Sequence, residues 1–132
     1  MAASDKRLLQ ALWATVVLQL AGRLVDLRWH LSHHEFEATR QQLEAHWLVW
    51  LAVLATIGVA VFAIAGASRA GLGGYRVVLV AGLIYAAVAV WHFIEHAHHH
   101  DPQVAHVLLA LSQLAMLVGA VVATVQTRRR NP

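Results

Sequence analysis

The 132-residue chain contains no cysteine, only two prolines and few charged residues. Without cysteine it can form neither a disulfide framework nor a thiolate metal site, and its redox compartment cannot be inferred. Charged residues make up 13% of the sequence, against about a quarter in an ordinary soluble domain. Together with 59% hydrophobic residues and a mean hydropathy of +0.57, this scarcity of charge predicts an integral membrane protein.

The charged residues are clustered, and they leave four long stretches nearly free of charge. An α-helix needs about 20 apolar residues to cross roughly 30 Å of hydrocarbon. We therefore predict an all-α fold, an integral membrane four-helix bundle that forms a single domain over residues 1–132. The predicted helices lie at about 8–30, 46–67, 75–96 and 103–127.

Basic residues flank the apolar stretches instead of forming one patch, which argues against a nucleic-acid partner despite a pI near 10.2. They lie at the N-terminus, between the second and third stretches and in the C-terminal tail, as Lys6, Arg7, Arg69, Arg76 and Arg128 to Arg130. By the positive-inside rule both termini are predicted to be cytoplasmic, with bacterial inner (plasma) membrane the expected location. Trp47 and Trp50 are predicted to lie in an interfacial aromatic belt.

All ten histidines fall at the opposite, extracytoplasmic end of the predicted helices. Trp29-His30 with His34 is echoed by Trp91-His92 with His96, and each group is followed by a histidine that opens the next apolar stretch, His46 or His106. This correspondence predicts two repeated helical hairpins related by a pseudo-two-fold axis along the membrane normal.

The first apolar stretch carries polar residues on a single helical face. Gln19, Arg23, Asp26 and His30 follow one another at intervals of three or four positions. Charged residues inside a membrane usually face the interior of a bundle and pair with one another. An Arg23–Asp26 ion pair with no further role is therefore an alternative to a functional Asp26.

Histidines in this pattern favour a metal site, because imidazole is the commonest metal ligand. Side chains one helical turn apart can chelate one ion, and a histidine on the next helix completes a three-ligand set. The predicted ligands are Asp26, His30, His46, His92, His96 and His106, with His34, Glu95 and His99 as weaker candidates. The alternative for His98 to His100 is a solvated loop. The pattern identifies no catalytic residue.

The Asp26-x3-His30 pair followed by His46 resembles the copper-site motif in the C subunit of particulate methane and ammonia monooxygenases. The resemblance is confined to the first hairpin. It implies that Asp26, His30 and His46 bind copper near the outer membrane surface.

Nitrogen-rich sites without sulfur bind copper(II) more tightly than zinc or nickel, so copper is the first expectation. The chain is then a membrane metalloprotein with one copper ion or a di-metal centre, and oxidoreductase chemistry is the favoured activity. Zinc and iron are alternative ions. Alternative functions are metal transport or delivery, zinc-dependent hydrolysis, bis-His haem b binding and a metal-free accessory subunit with a pH-sensitive histidine belt.

The expected partners are membrane lipid and the metal ion, together with further copies of the chain or other membrane subunits. Small residues permit close helix packing, either within one bundle or between copies, and they include Gly58, Gly66, Gly82 and Gly119.

Overall fold

Four long α-helices make up the described part of the chain. The structure is a computed structural model that describes residues 3–32, 40–66, 72–97 and 103–130. The helices are α1 (Ala3–Ser32), α2 (Arg40–Ala65), α3 (Leu72–Ala97) and α4 (Gln103–Arg130). The prediction of four helices is confirmed, and each contains a stretch long and apolar enough to cross a membrane.

The helices extend beyond the apolar stretches that locate them in the sequence. α1 begins at Ala3, before the predicted start near Leu8, and α2 begins at Arg40 instead of His46. At the start of α1, Asp5 lies in the first turn, where a carboxylate stabilises the positive end of the helix dipole. At the end of α4, three arginines lie in the last turn and stabilise the negative end. Hydropathy therefore locates the spans, whereas the helices themselves extend into more polar turns on either side.

The helices form a closed ring in which each packs against the next and α4 packs against α1. The contact is most extensive between α3 and α4 and least extensive between α4 and α1. Trp13 Nε1 donates a hydrogen bond to Thr124 Oγ1 at 2.9 Å across the α1–α4 boundary. The start of α1 and the end of α4 consequently share one end of the bundle, the basic end. The end that carries His46, His92 and His106 is the histidine end.

Many large apolar side chains lie on the outside of the bundle, and small residues are frequent inside it. Leu24 and Phe62 are 67% and 66% exposed, whereas Ala60, Ala63 and Ala120 are fully buried beside larger side chains such as Leu12 and Met116. A soluble protein would bury its large apolar residues, but lipid tails solvate them equally well, and small residues let the helices approach closely. This distribution agrees with the membrane assignment.

Glycines allow α3 and α4 to meet backbone to backbone. A Cβ atom on Gly74 would overlap the backbone of Ala123, and one on Gly119 would lie 2.8 Å from Cγ2 of Val78. A Cβ on Gly82 would lie 2.7 Å from Cγ1 of Ile57 in α2. Two of the glycines expected to permit helix packing, Gly82 and Gly119, therefore do so inside the bundle.

Polar side chains lie buried near the middle of the bundle. The Gln19 amide of α1 donates to the hydroxyl of Thr56 and to the Ala52 carbonyl oxygen at 3.4 Å, and Thr56 Oγ1 donates to the same carbonyl at 2.8 Å. On α4, Gln113 is 7% exposed, and its Nε2 has no hydrogen-bond partner among the described residues. Of the polar face of α1, Gln19 is buried and Arg23 is half-buried.

Candidate metal centre

An internal cavity of about 40 Å³ lies at the histidine end of the bundle. All four helices contribute to its wall, and the polar and aromatic members of that wall are Arg23, His46, Trp50, Tyr85, His92 and Phe93. A water molecule occupies about 30 Å³ in the liquid, so the cavity has room for one small ion or one or two waters. It is far smaller than the roughly 300–1,000 Å³ clefts that hold organic cofactors.

Among the predicted ligands whose side chains are described, His92 is the most buried. It is 4% exposed, because this face of α3 turns toward α4 inside the ring of helices. The ring of His106, on α4, packs edge-on against it with the centroids 4.5 Å apart and the ring planes at 69°. Two imidazoles bound to one ion at metal–nitrogen distances of about 2.0–2.1 Å have centroids on the order of 4.5–5.5 Å apart. The observed separation therefore suits two ligands of a single ion.

His46 approaches the same cavity from α2. It is the first residue of the apolar span of that helix and is half-buried. Trp50, one helical turn further on, also lines the cavity. The structure therefore places two of the six predicted ligands, His46 and His92, on the cavity wall, and a third, His106, packs against His92 without lining the cavity.

α1 contributes Arg23, which is half-buried and lines the cavity. Asp26 and His30 follow on the same helix toward the histidine end, and their side chains lie outside the described part of the structure. A guanidinium at this wall opposes the binding of a cation, because like charges repel strongly where water is excluded. A metal ion here needs a carboxylate to offset that charge, and Asp26 is the acidic residue nearest to Arg23 along α1.

The remaining predicted ligands do not line the cavity or cannot be placed. Glu95 is half-buried and absent from the cavity wall. The side chain of His96 lies outside the described part of the structure, as do residues His34 and His99. Among the described side chains, no three His, Asp or Glu residues lie close enough together to hold an ion. The described centre consists of one histidine pair and a third histidine on the cavity wall.

Three aromatic residues of the cavity wall, Trp50, Tyr85 and Phe93, are not among the predicted site residues. Tyr85 is 3% exposed and precedes His92 by two helical turns, so both side chains share one face of α3. Trp50, expected in an interfacial aromatic belt, lines the cavity, and Trp47, expected in the same belt, is 62% exposed. For Trp50 and Tyr85 the helical period carries the signal. Extending the helical period from each histidine back into its span would have identified both residues.

The half of the bundle nearer the basic end contains a cluster of buried apolar side chains, among them Leu12, Val16, Ala60, Val78 and Ala120. This packing disfavours metal transport through a single bundle.

The fold and the cavity together define a class, a small four-helix membrane protein with a histidine-lined interior at one end. No protein-family model, no curated protein and no solved structure matches the chain. The resemblance to the monooxygenase C subunit rests on Asp26, His30 and His46 alone and stays a prediction.

Proposed function

We propose that this membrane protein binds a transition-metal ion, copper in the first place, in the cavity at the histidine end. His46, His92 and His106 serve as imidazole ligands, and Asp26, His30 and His96 complete the set or bind a second ion. The observation that carries the proposal is the pair of His92 and His106, whose rings lie 4.5 Å apart, beside a small cavity whose wall includes His92 and His46.

Of the three described histidines, His92 is 4% exposed, whereas His46 and His106 are half-buried. A bound ion would be coordinated by imidazoles from several helices and would hold them in one geometry. The neighbouring wall is aliphatic and aromatic, with Val49, Ala89, Phe93 and Leu109, so the ion would lie in a dry environment.

The predicted internal repeat gains support from the cavity wall. When His30 is aligned with His92, Arg23 corresponds to Tyr85, and when His46 is aligned with His106, Val49 corresponds to Leu109. Both members of each pair line the same cavity. We infer a pseudo-two-fold axis that passes close to the cavity, so that the two hairpins contribute to one centre.

The chemistry of the ligands favours copper. Imidazole and carboxylate donors without sulfur follow the order of affinity in which Cu(II) exceeds Zn(II). The resemblance to the monooxygenase subunit points to the same metal, and oxidoreductase chemistry is then the expected activity. The small cavity restricts any reactant at the ion to the size of water or dioxygen. A zinc ion there would instead favour hydrolysis through a bound water.

The proposed orientation has the basic end in the cytoplasm and the metal centre on the extracytoplasmic side of a bacterial inner membrane. Its support is the charge distribution, since Lys6, Arg7, Arg76 and the arginines at the end of α4 all lie at the basic end. Since the chain has no cysteine, a single cysteine at exposed Ser4 tests the orientation. It should resist a membrane-impermeant maleimide in intact cells, and labelling there would reverse the assignment.

The metal content of the purified protein tests the proposed function. The chain should be purified without a histidine tag or added metal and then analysed for elements and for its visible spectrum. We expect stoichiometric copper in the unmodified protein. His92→Ala and His46→Ala should each weaken Cu(II) binding by at least about 100-fold, because loss of an ion's direct ligand exceeds the 10–100-fold effect of losing a supporting residue.

A triple variant of the loop, with His98, His99 and His100 all changed to Asn, is the matched control, and it should keep its copper. Circular dichroism and gel filtration in detergent establish that each variant is folded. An unmodified protein that takes up neither Cu(II) nor Zn(II) on reconstitution would overturn the proposal. So would equal metal content in His92→Ala, His46→Ala and the unmodified chain. A Soret band would identify haem b instead.

A further inference from the structure

A long apolar groove runs along the outer surface of the bundle between α3 and α4. Its volume is about 520 Å³, and its walls are formed by side chains such as Val80 and Ile84 of α3 and Leu111 and Ala115 of α4. Ser112 also lines the groove, but its hydroxyl donates to the Leu108 carbonyl oxygen at 2.8 Å. The groove therefore presents an almost purely hydrocarbon surface.

One charged residue, Arg76, lies on the groove wall. Arg76 is exposed and lies four residues after the start of α3, about 6 Å along the helix axis. The backbone N–H of Gly74 donates to Gln126 Oε1 of α4 at 3.3 Å, which holds the two helix ends together. Arg128 to Arg130 follow in the last turn of α4. The groove thus begins in a cluster of positive charge at the basic end and continues into the apolar span.

We propose that this groove binds one phospholipid with an anionic headgroup, its phosphate at Arg76 and an acyl chain along Val80, Ile84 and Leu111. Basic pockets beside transmembrane helices recognise anionic lipid headgroups in this way. The inference does not depend on a bound metal, because the groove lies on the lipid-facing surface and the candidate metal centre lies inside the bundle at the other end.

The positive charge of Arg76 favours a lipid over a second copy of the chain as the occupant of the groove. A two-fold symmetric dimer built on the groove would place the same surface of both copies face to face. The two Arg76 side chains would then lie at the same depth beside the symmetry axis, where like charges repel. An anionic headgroup neutralises Arg76 instead, and an acyl chain fills the apolar part of the groove.

Selectivity for the headgroup is the measurable consequence. An acyl chain leaves one apolar environment for another when it enters the groove, so burial of the chain does not discriminate among lipids. The headgroup contributes about 1 kcal/mol for one arginine near the membrane surface, which corresponds to roughly a fivefold preference. We expect the full chain to retain about five times more anionic than zwitterionic lipid.

The experiment uses delipidated protein in detergent that contains equal amounts of dioleoyl-phosphatidylglycerol and dioleoyl-phosphatidylcholine, with bound lipid counted by native mass spectrometry. Arg76→Gln should lose the preference, while Lys6→Gln, at the same end but on α1 and outside the groove wall, should keep it. Val80→Trp fills the groove and should reduce bound lipid of both kinds. Leu83→Trp, on an exposed position of α3 outside the groove, should leave it unchanged.

Three results would overturn the inference. They are equal retention of the two lipids by the unmodified chain, an unchanged preference in Arg76→Gln, and equal loss in Val80→Trp and Leu83→Trp. A disulfide-linked dimer formed through Ile84→Cys, in place of lipid retention, would assign the groove to a second copy. None of these readouts depends on bound metal, so the proposed function and the lipid site can fail separately.

Discussion

The two hairpins, α1–α2 and α3–α4, hold their helices together in different ways. α1 and α2 are joined by the buried Gln19 amide, which hydrogen-bonds to Thr56 and the Ala52 carbonyl oxygen. In the interior, α3 and α4 are joined by glycines, with Gly74 directly against the backbone of the facing helix, and one polar contact, from the Gly74 N–H to Gln126 Oε1, lies at their ends. In the alignment of the predicted repeat, Gln19 corresponds to Ala81 and Gly74 to Leu12. The packing devices are therefore not repeated.

This difference bears on the origin of the histidine repeat. If the histidine repeat followed from a shared way of packing the helices, the residues that make the packing contacts would also repeat. The two hairpins share their histidine positions but differ in their packing contacts. Interhelical hydrogen bonds and close packing at small residues are two separate ways in which helices associate in a membrane. The histidines at equivalent positions are then better explained by a shared task at the histidine end, which is what a common metal centre supplies.

Of the substitutions that test this difference between the hairpins, the largest loss of stability is expected at Gly74, in the contact between α3 and α4. Gly74→Ala places a methyl group on the backbone of Ala123 and near the Gly119 carbonyl oxygen, neither of which can rotate away. α3 and α4 must separate, at a cost to the free energy of unfolding of about 3 kcal/mol, the upper end of the usual range for overpacking. Equilibrium unfolding in mixed micelles, followed by circular dichroism, measures the change.

Two glycines outside the α3–α4 contact are the matched controls. In the first hairpin, a Cβ on Gly22 would meet Cγ2 of Val49 at 2.8 Å, and that side chain can change rotamer, so Gly22→Ala should cost less than Gly74→Ala. A Cβ on Gly58 meets nothing within 4 Å, so Gly58→Ala should be neutral or slightly stabilising, since alanine favours the helix. Equal losses in all three variants would refute the distinction between the hairpins.

The cavity offers a second, smaller contrast between the hairpins. Arg23 and Tyr85 are equivalent in the predicted repeat and face the same cavity, but only Arg23 carries a charge. Arg23→Gln removes a positive charge from the neighbourhood of the proposed cation. The affinity for Cu(II) should therefore rise, by about tenfold or 1.4 kcal/mol. Competition with a copper chelator at fixed pH measures the affinity.

Tyr85→Phe is the corresponding control in the second hairpin, because it changes polarity without changing charge. Its affinity for Cu(II) should stay within a factor of about three of the unmodified chain, a difference below 1 kcal/mol. Weaker binding by Arg23→Gln would contradict the electrostatic interpretation. It would instead indicate that Arg23 positions a ligand of the ion.

The sequence predicts the helices well because the membrane imposes one strong condition on each of them. Twenty apolar residues can cross hydrocarbon only as a helix whose backbone groups bond internally, and all four predicted spans are helical. The predicted bounds describe the apolar spans, and the span of α2 begins at His46 as predicted. The helices themselves begin several residues earlier, at Ala3 and Arg40, in polar turns that hydropathy does not detect.

The candidate site was predictable in part. The histidine period places His92 and His106 on facing sides of one hairpin, and their rings meet. The presence of Arg23 and Trp50 in the cavity wall depends on how α1 and α2 are rotated against α3 and α4. That rotation depends on the close contacts that other helices make at Gly22, Gly82 and Gly119. Such contacts between helices are not encoded in the period of any single helix.

The smallest predicted effect concerns two buried glutamines, one in each hairpin. Gln19 has two hydrogen-bond acceptors in α2, whereas Nε2 of Gln113 in α4 has no partner among the described residues. Gln19→Leu should lower the free energy of unfolding by about 0.6 kcal/mol, the mean value of an interhelical hydrogen bond in a membrane, with an upper limit near 1.7 kcal/mol. Gln113→Leu should be neutral or raise it, because a buried amide nitrogen without a partner is destabilising.

Thr56 also donates to the Ala52 carbonyl oxygen in its own helix, so Thr56→Val removes more than the bond to Gln19. A double-mutant cycle of Gln19→Leu with Thr56→Val isolates the hydrogen bond between Gln19 and Thr56. The coupling energy should be positive and comparable to the loss in Gln19→Leu alone. A cycle of Gln113→Leu with Thr56→Val should show no coupling energy if Thr56 makes its interhelical hydrogen bond only with Gln19 of the first hairpin. If Gln113→Leu destabilises as much as Gln19→Leu, the amide of Gln113 has a partner, such as a buried water, and both hairpins then rely on polar contacts in the bundle interior.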